Sequence, residues 1–190
     1  PDSRSATING MPVILNFAPT YQSKTAFISE NDLSYTLMPL LQRSSLIRHT
    51  PMHIMIDAGH GGSDPGAIGK ISREKNITLA IANELKSELQ KRGFQVTMTR
   101  SGDYTVSLEQ RSAHANRVKA QVFVSIHADA ASPSVNGIGT FSLTPPGAPS
   151  YNTNKVESGV CKGHFWSKNS LFLSYCVQKN LAGDIKSAPN

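Results

Sequence analysis

His53-Ile-Met-Ile-Asp-Ala-Gly-His-Gly-Gly-Ser-Asp-Pro-Gly-Ala-Ile-Gly69 is the stretch on which the fold turns. Its opening reads as a short strand beginning near Met52, and the glycines at 59, 61, 62, 66 and 69 predict an exposed loop after it. Downstream, Glu74 to Arg92 carries Ile77, Ile81, Leu85 and Leu89 at steps of four and closes on Gly93, which predicts an amphipathic helix facing a sheet. Phe94 to Thr99 reads as the next strand, Val106 to Lys119 as a second helix, and Gln121 to His127 as a strand with Val122, Val124 and Ile126 on one face. This alternation predicts an α/β domain: a single mixed, partly parallel sheet flanked by helices, with functional groups on loops at the strand ends. A further strand is expected at Gly139 to Leu143 and a last helix at Ser167 to Leu181. Upstream, Pro12, Pro19 and Pro39 interrupt short apolar pieces. Residues 1–50 are therefore read as an N-terminal extension, with Asn31 or Asp32 capping a helical turn through Leu33 to Leu41, and residues 51–190 as the single domain.

Composition narrows the class. A chain of 190 residues fits one hydrophobic core, and 38% hydrophobic with 17% charged residues suits a globular domain. No segment approaches the ~20 apolar residues of a membrane span, so no transmembrane segment is expected. Nineteen basic against 13 acidic residues give a net charge of +6 and a weak attraction to polyanions. The bases are scattered, and no aromatic-interleaved patch of the kind that stacks nucleic-acid bases is present, so nucleic acid is not an expected partner. Pro1 to Gly10 lacks the basic start and apolar run of a signal peptide, which leaves either a cytosolic protein or a removed targeting segment. Cys161 and Cys176 either pair in an oxidising compartment or are unrelated thiols.

Three side chains stand where strands and loops deliver them: His60 after the first strand, Glu74 opening the first helix, and His127 ending a strand. Two imidazoles and a carboxylate form a known catalytic zinc set, because three protein ligands leave the fourth tetrahedral position open. A helix N-terminus would keep Glu74 ionised, as a metal ligand must be. The spacing itself carries no local metal motif, neither HExxH nor a cysteine cluster.

The residues do match a family. Ile56-Asp-Ala-Gly-His-Gly-Gly-Ser-Asp-Pro-Gly-Ala67, Glu74-Lys75, Thr99-Arg100, Leu108-Glu-Gln-Arg111 with Ala115-Asn116, and Val124-Ser-Ile-His-Ala-Asp129 resemble the successive signatures of zinc-dependent N-acetylmuramoyl-L-alanine amidases, hydrolases of the bacterial cell wall and of cell division. The resemblance covers about residues 52–185 in order and spacing. It implies a zinc amidase domain over 51–190 that hydrolyses the amide between N-acetylmuramic acid and L-alanine in peptidoglycan, with His60, Glu74 and His127 as the catalytic zinc ligands. It implies peptidoglycan as partner, leaves room for activator proteins, and implies a periplasmic or extracellular location with the signal peptide absent from the mature chain.

One departure stands out. The family's second glutamate, the general base of a Val-Glu-x-Gly-Phe-type strand, has no counterpart, since the only acidic residues after position 140 are Glu157 and Asp184. The chain is therefore expected to stop short of its C-terminal strand. A non-catalytic zinc or wall-binding module is the rival reading. Another is a serine carboxypeptidase side activity through Ser72-Arg-Glu-Lys75, an SxxK pattern accompanied by Ser167-Lys-Asn169.

The remaining polar residues have ordinary alternatives. Asp57 and Asp129 either orient a ligand histidine or cap turns. His53 is read as a strand residue rather than a ligand, His114 and His164 as solvated surface, and Phe165 and Trp166 as packing for the last helix or as a sugar-stacking pair.

Overall fold

The computed structural model describes residues 3–42, 52–130, 132, 137–151, 153–156 and 159–187, with side chains up to 183. The chain falls into two compact units, one formed by 1–46 with 137–190 and the other by 47–136.

The second unit holds the sheet. Strand β5 (His53–Ala58) is buried along its whole length, as a strand covered on both faces must be. Helix α3 (Glu74–Lys91) leads from it to β6 (Gln95–Met98), and α4 (Leu108–Arg117) leads on to β7 (Val122–Ile126). The sheet order is β6-β5-β7, and both pairings are parallel. The α/β class expected from the alternation is thus present, and the three described strands of this sheet are all parallel.

Its core is Ile54, Ile56, Ala58, Ala82 and Met98, against which Leu79, Leu85, Leu89, Val96 and Ile126 pack. The buried stripe of α3 differs from the expected one. Leu85 and Leu89 pack on the core as expected, but Ile77 and Ile81 are exposed, and Thr78 and Ala82 face inward in their place. The reason is geometric: each step of four overshoots a 3.6-residue turn by about 40°, so a strict four-step row winds off the face, whereas mixed steps of four and three stay on it. Helix α4 opens with a capping box in which Ser107 and Gln110 satisfy each other's backbone N–H groups.

The first unit contains the hairpins β1 (Ser5–Ile8) with β2 (Met11–Ile14) and β3 (Thr20–Gln22) with β4 (Thr25–Phe27), both antiparallel. Helix α1 (Glu30–Asp32), a π-turn (Leu33–Leu37) and α2 (Met38–Leu41) follow. The helical cap is Ser29, whose hydroxyl accepts from the Asp32 amide, and not Asn31 or Asp32. Asp32 is fully buried because it accepts from the Asn16 and Phe17 amides and the Ser29 and Thr36 hydroxyls. The expected strand at Gly139 to Leu143 does not form. That stretch has no ladder partner among the described residues, and Thr140 Oγ1 donates instead to the Ser174 carbonyl in α5 (Ser167–Ser187).

Candidate metal centre

Parallel register brings two of the three candidate ligands together. Ala58 of β5 lies opposite Ile126 of β7, and the Gly59 amide donates to the Ile126 carbonyl at 3.0 Å. Both strands therefore end at the same edge, where His60 and His127 follow at once. Their rings meet edge to face with centroids 4.9 Å apart. The loop from Gly61 to Arg73 returns to that edge, and Glu74 opens α3 there, its own amide held by the Ala67 carbonyl at 2.8 Å. Ligand atoms of His60, Glu74 and His127 all lie within 4.8 Å of one another.

Glu74 is the buried member, its side chain only 2% exposed against 44% for His127. Burial pushes its carboxyl up. The Ala67 and Ala128 amides, His60 and His127 outweigh that, and its pKa lies below the ordinary value. Oε2 accepts from Ala67 N and Oε1 from Ala128 N, both at 2.8 Å. That same Oε1 stands 3.1 Å from His60 Nε2 and 3.1 Å from His127 Nδ1.

Asp64 decides what His60 presents to it. Asp64 Oδ2 lies 2.8 Å from His60 Nδ1, and Oδ1 accepts from the Gly66 amide at 3.0 Å. The hydrogen bond from His60 holds the Asp64 carboxyl below its ordinary range, so it is ionised and can only accept. Nδ1 therefore carries the proton, and Nε2 is the nitrogen that the ring turns toward Glu74 Oε1. Two lone pairs at that distance repel unless a proton or cation lies between them. Ligands at ~2.0–2.1 Å on a tetrahedral ion stand roughly 3.3 Å apart. The two distances to Oε1 are close to that separation, so the donors fit a metal ion.

Replacing Asp64 tests this. Asp64→Ala is expected to weaken metal binding by about 10–100-fold, and Asp64→Asn, which keeps an acceptor oxygen, by less. Competition with a chelating zinc indicator reads both; equal affinities in all three proteins would remove Asp64 from the arrangement.

Two glycines make room for the ligands. A Cβ on Gly59 would come within 2.6 Å of the His127 ring, and one on Gly66 within 2.6 Å of both Glu74 Oε2 and His60 Cδ2. Gly66 also has φ +62°, where a side chain is strained. Their use is thus close approach by the candidate ligands themselves. Gly66→Ala is expected to lower metal affinity about tenfold or more. An alanine variant with unchanged affinity would show that Glu74 and His60 move aside freely.

The loop is bolted from beneath by two arginines. Arg100, fully buried, donates to the carbonyls of Ala58, Gly59, Lys75 and Gly102 and to Thr78 Oγ1. Burial and the neighbouring Arg111 lower its pKa. Arg111 donates to the Val106, Ala58 and His60 carbonyls and pairs with Asp57 at 2.6 Å. The Ala58, Gly59 and His60 carbonyls thereby find donors where the strand stops, and His60 itself sits at φ +61°, a strained conformation for a side chain. On the outer side, Asp103 accepts from the Gly62 amide and from Lys75 Nζ, both at 2.7 Å.

Several expectations change. Asp57 does not orient a histidine: it accepts from Thr99, Arg111 and Ser125, tying β5 to its neighbours, and Asp64 takes the orienting place. Asp129 is exposed. His53 is buried, its ring bonded to Val118 O and Thr97 Oγ1, which fits a strand residue. His164 is buried rather than solvated, because its Nδ1 accepts from the Cys161 amide inside a 3-10 turn. Phe165 and Trp166 are exposed. Cys161 and Cys176 are free thiols. The SxxK pair does not form: Lys75 Nζ is committed to Gly62 O and Asp103, and the Ser72 hydroxyl turns to the Arg73 carbonyl. Glu157 and the Asp184 side chain lie outside the described residues.

The model of one protein family, described as N-acetylmuramoyl-L-alanine amidase, matches residues 54–187. The chain belongs to this amidase family. It is 48% identical over 106 residues to the N-acetylmuramoyl-L-alanine amidase AmiC of Neisseria meningitidis, covering 55% of this chain and 26% of that protein. It is 46% identical over 106 residues to AmiC of Escherichia coli, covering 54% of this chain and 25% of that one. It thus spans about a quarter of the length of these curated amidase relatives. Among solved structures it is similar to the CwlD amidase of Clostridioides difficile, described in complex with the GerS lipoprotein, at 28% identity and a TM-score of 0.50 over 73% of this chain and 69% of that one.

Proposed function

We propose that this chain is the zinc-binding part of a hydrolase that cleaves the amide between N-acetylmuramic acid and L-alanine in peptidoglycan. The observation that carries the reading is the convergence of His60, Glu74 and His127, with ligand atoms within 4.8 Å, in a chain of the amidase family. Two imidazole nitrogens and a carboxylate oxygen suit zinc. When bound, zinc supplies Lewis acidity toward the scissile carbonyl and acidifies water toward neutrality.

The chain's own residues supply the rest. Asp64 fixes the His60 tautomer, the Ala67 and Ala128 amides keep Glu74 anionic, and Arg100 and Arg111 hold the loop in place. Glu74 closes the inner side, and His127, 44% exposed, opens the site to solvent and substrate. Residues 51–190 form the catalytic region in this reading. The polymeric substrate places the enzyme in the periplasm or outside the cell. Among the described residues no helix is long and apolar enough to cross a membrane.

The test is digestion of purified peptidoglycan, followed by detection of stem peptides with a new alanine amino terminus. Chelation should abolish their release and added zinc restore it. Release that persists with chelator, or products cut between amino acids, would contradict the proposal.

A further inference from the structure

A groove of about 360 Å³ runs along the turn that leads into α3, lined among others by Ile68, Lys70, Ile71, Arg73, Lys75 and Asp103. Three of these are cations and one is an anion. Lys75 and Asp103 neutralise each other at 2.7 Å, and Asp103 is further engaged by the Gly62 amide. Among the described residues Lys70 and Arg73 have no ion-pair partner, so the groove carries two uncompensated positive charges.

The groove's lining residues adjoin a candidate ligand in sequence. Arg73 and Lys75 flank Glu74, and Ile68 follows Ala67, whose amide binds the Glu74 carboxylate. Its wall is a closed turn, with the Gly69 amide donating to the Ser72 carbonyl at 3.0 Å and Ile68 bridged to Arg73. At its rim Ile71 is 101% exposed and Ile68 71% exposed. Exposed, unpaired cations beside exposed aliphatic side chains suit an extended peptide that bears carboxylates and small alkyl groups.

We propose that this groove is the subsite for the carboxylate-bearing part of the peptide stem, and that Lys70 and Arg73 select acidic stems over amidated ones. The choice of ligand rests on the amidase reading; the charge selectivity rests on the groove. Arginine and lysine bind a carboxylate by charge-assisted hydrogen bonds, and amidation of that carboxylate removes the charge they recognise.

The test uses the zinc-loaded full chain and two probes, the tripeptide L-alanyl-γ-D-glutamyl-L-lysine and the same tripeptide with its glutamyl α-carboxylate amidated, titrated by calorimetry or NMR. The unaltered chain is expected to bind the acidic form about tenfold more tightly at low salt. Lys70→Gln combined with Arg73→Gln should erase that preference by weakening the acidic form and leaving the amidated one unchanged. Both residues are exposed, and an unchanged melting temperature verifies folding of the double variant. Equal binding of the two probes to the unaltered chain, no binding of either, or equal losses for both in the variant would each overturn the proposal. Hydrolysis of purified wall is scored separately, so charge-selective binding without cleavage would sink the amidase reading while supporting the groove.

Discussion

Glu74→Gln is expected to lower zinc affinity by at least about 100-fold while leaving the fold intact. The amide is isosteric, so it can still accept one of the two backbone bonds from Ala67 and Ala128. What it loses is the negative charge, in the most buried of the three candidate ligands. A change beside a metal ligand already costs about 10–100-fold, and a change in a ligand itself costs at least that. The result has a second component. With an N–H₂ in place of one carboxylate oxygen, either the Ala67 or the Ala128 amide loses its acceptor. The zinc-free variant is therefore expected to be about 1–3 kcal/mol less stable than the zinc-free parent, with the fold retained. Calorimetric zinc titration and denaturant unfolding read the two quantities; a variant that binds zinc as tightly as the parent would remove Glu74 from the ligand set.

Arg111→Met is expected to cost about 3–5 kcal/mol of stability, the size of effect seen when one partner of a buried ion pair is removed. Asp57 and Arg111 have side chains only 5% and 8% exposed. Without the guanidinium, the Asp57 carboxylate retains the Thr99 and Ser125 hydroxyls but loses its ion-pair partner, and the His60 carbonyl loses its donor while Ala58 keeps Arg100. For a chain of this size the loss corresponds to a fall in melting temperature of roughly 10 °C. The double variant Asp57→Asn with Arg111→Met should be less damaged than Arg111→Met alone, because it no longer buries an orphan charge. If the single change costs under about 1 kcal/mol, the two residues do not act as a buried pair. Arg111 should also matter for metal binding, since it holds the carbonyl of His60 itself.

Much of this was legible in the residues. The periodicities near Ile54, Leu85 and Val124 follow from burial on a sheet, and they place the three strands and two helices in the right order. Parallel pairing then requires successive strands to deliver their ends to one edge, so His60 and His127 were bound to be neighbours once β5 and β7 paired. Less was legible where a role depends on contacts distant in sequence. Nothing local distinguishes Asp57 from Asp64, yet one pairs with Arg111 of α4 and the other turns back on His60. The glycines could be seen to permit a tight loop, but that Gly59 and Gly66 yield space to ligand side chains is a property of the folded edge. The N-terminal proline-punctuated segment reads as irregular because its strands are only three or four residues long, too short for a clear alternation.

The most direct measurement is zinc content and coordination in the purified chain, by elemental analysis and X-ray absorption. One zinc per chain is predicted, with two imidazole nitrogens and a carboxylate oxygen at ~2.0–2.2 Å, and with the signal lost in a His60→Ala, His127→Ala double variant. Absence of zinc after reconstitution, or an ion whose coordination is unaltered in that variant, would contradict the account.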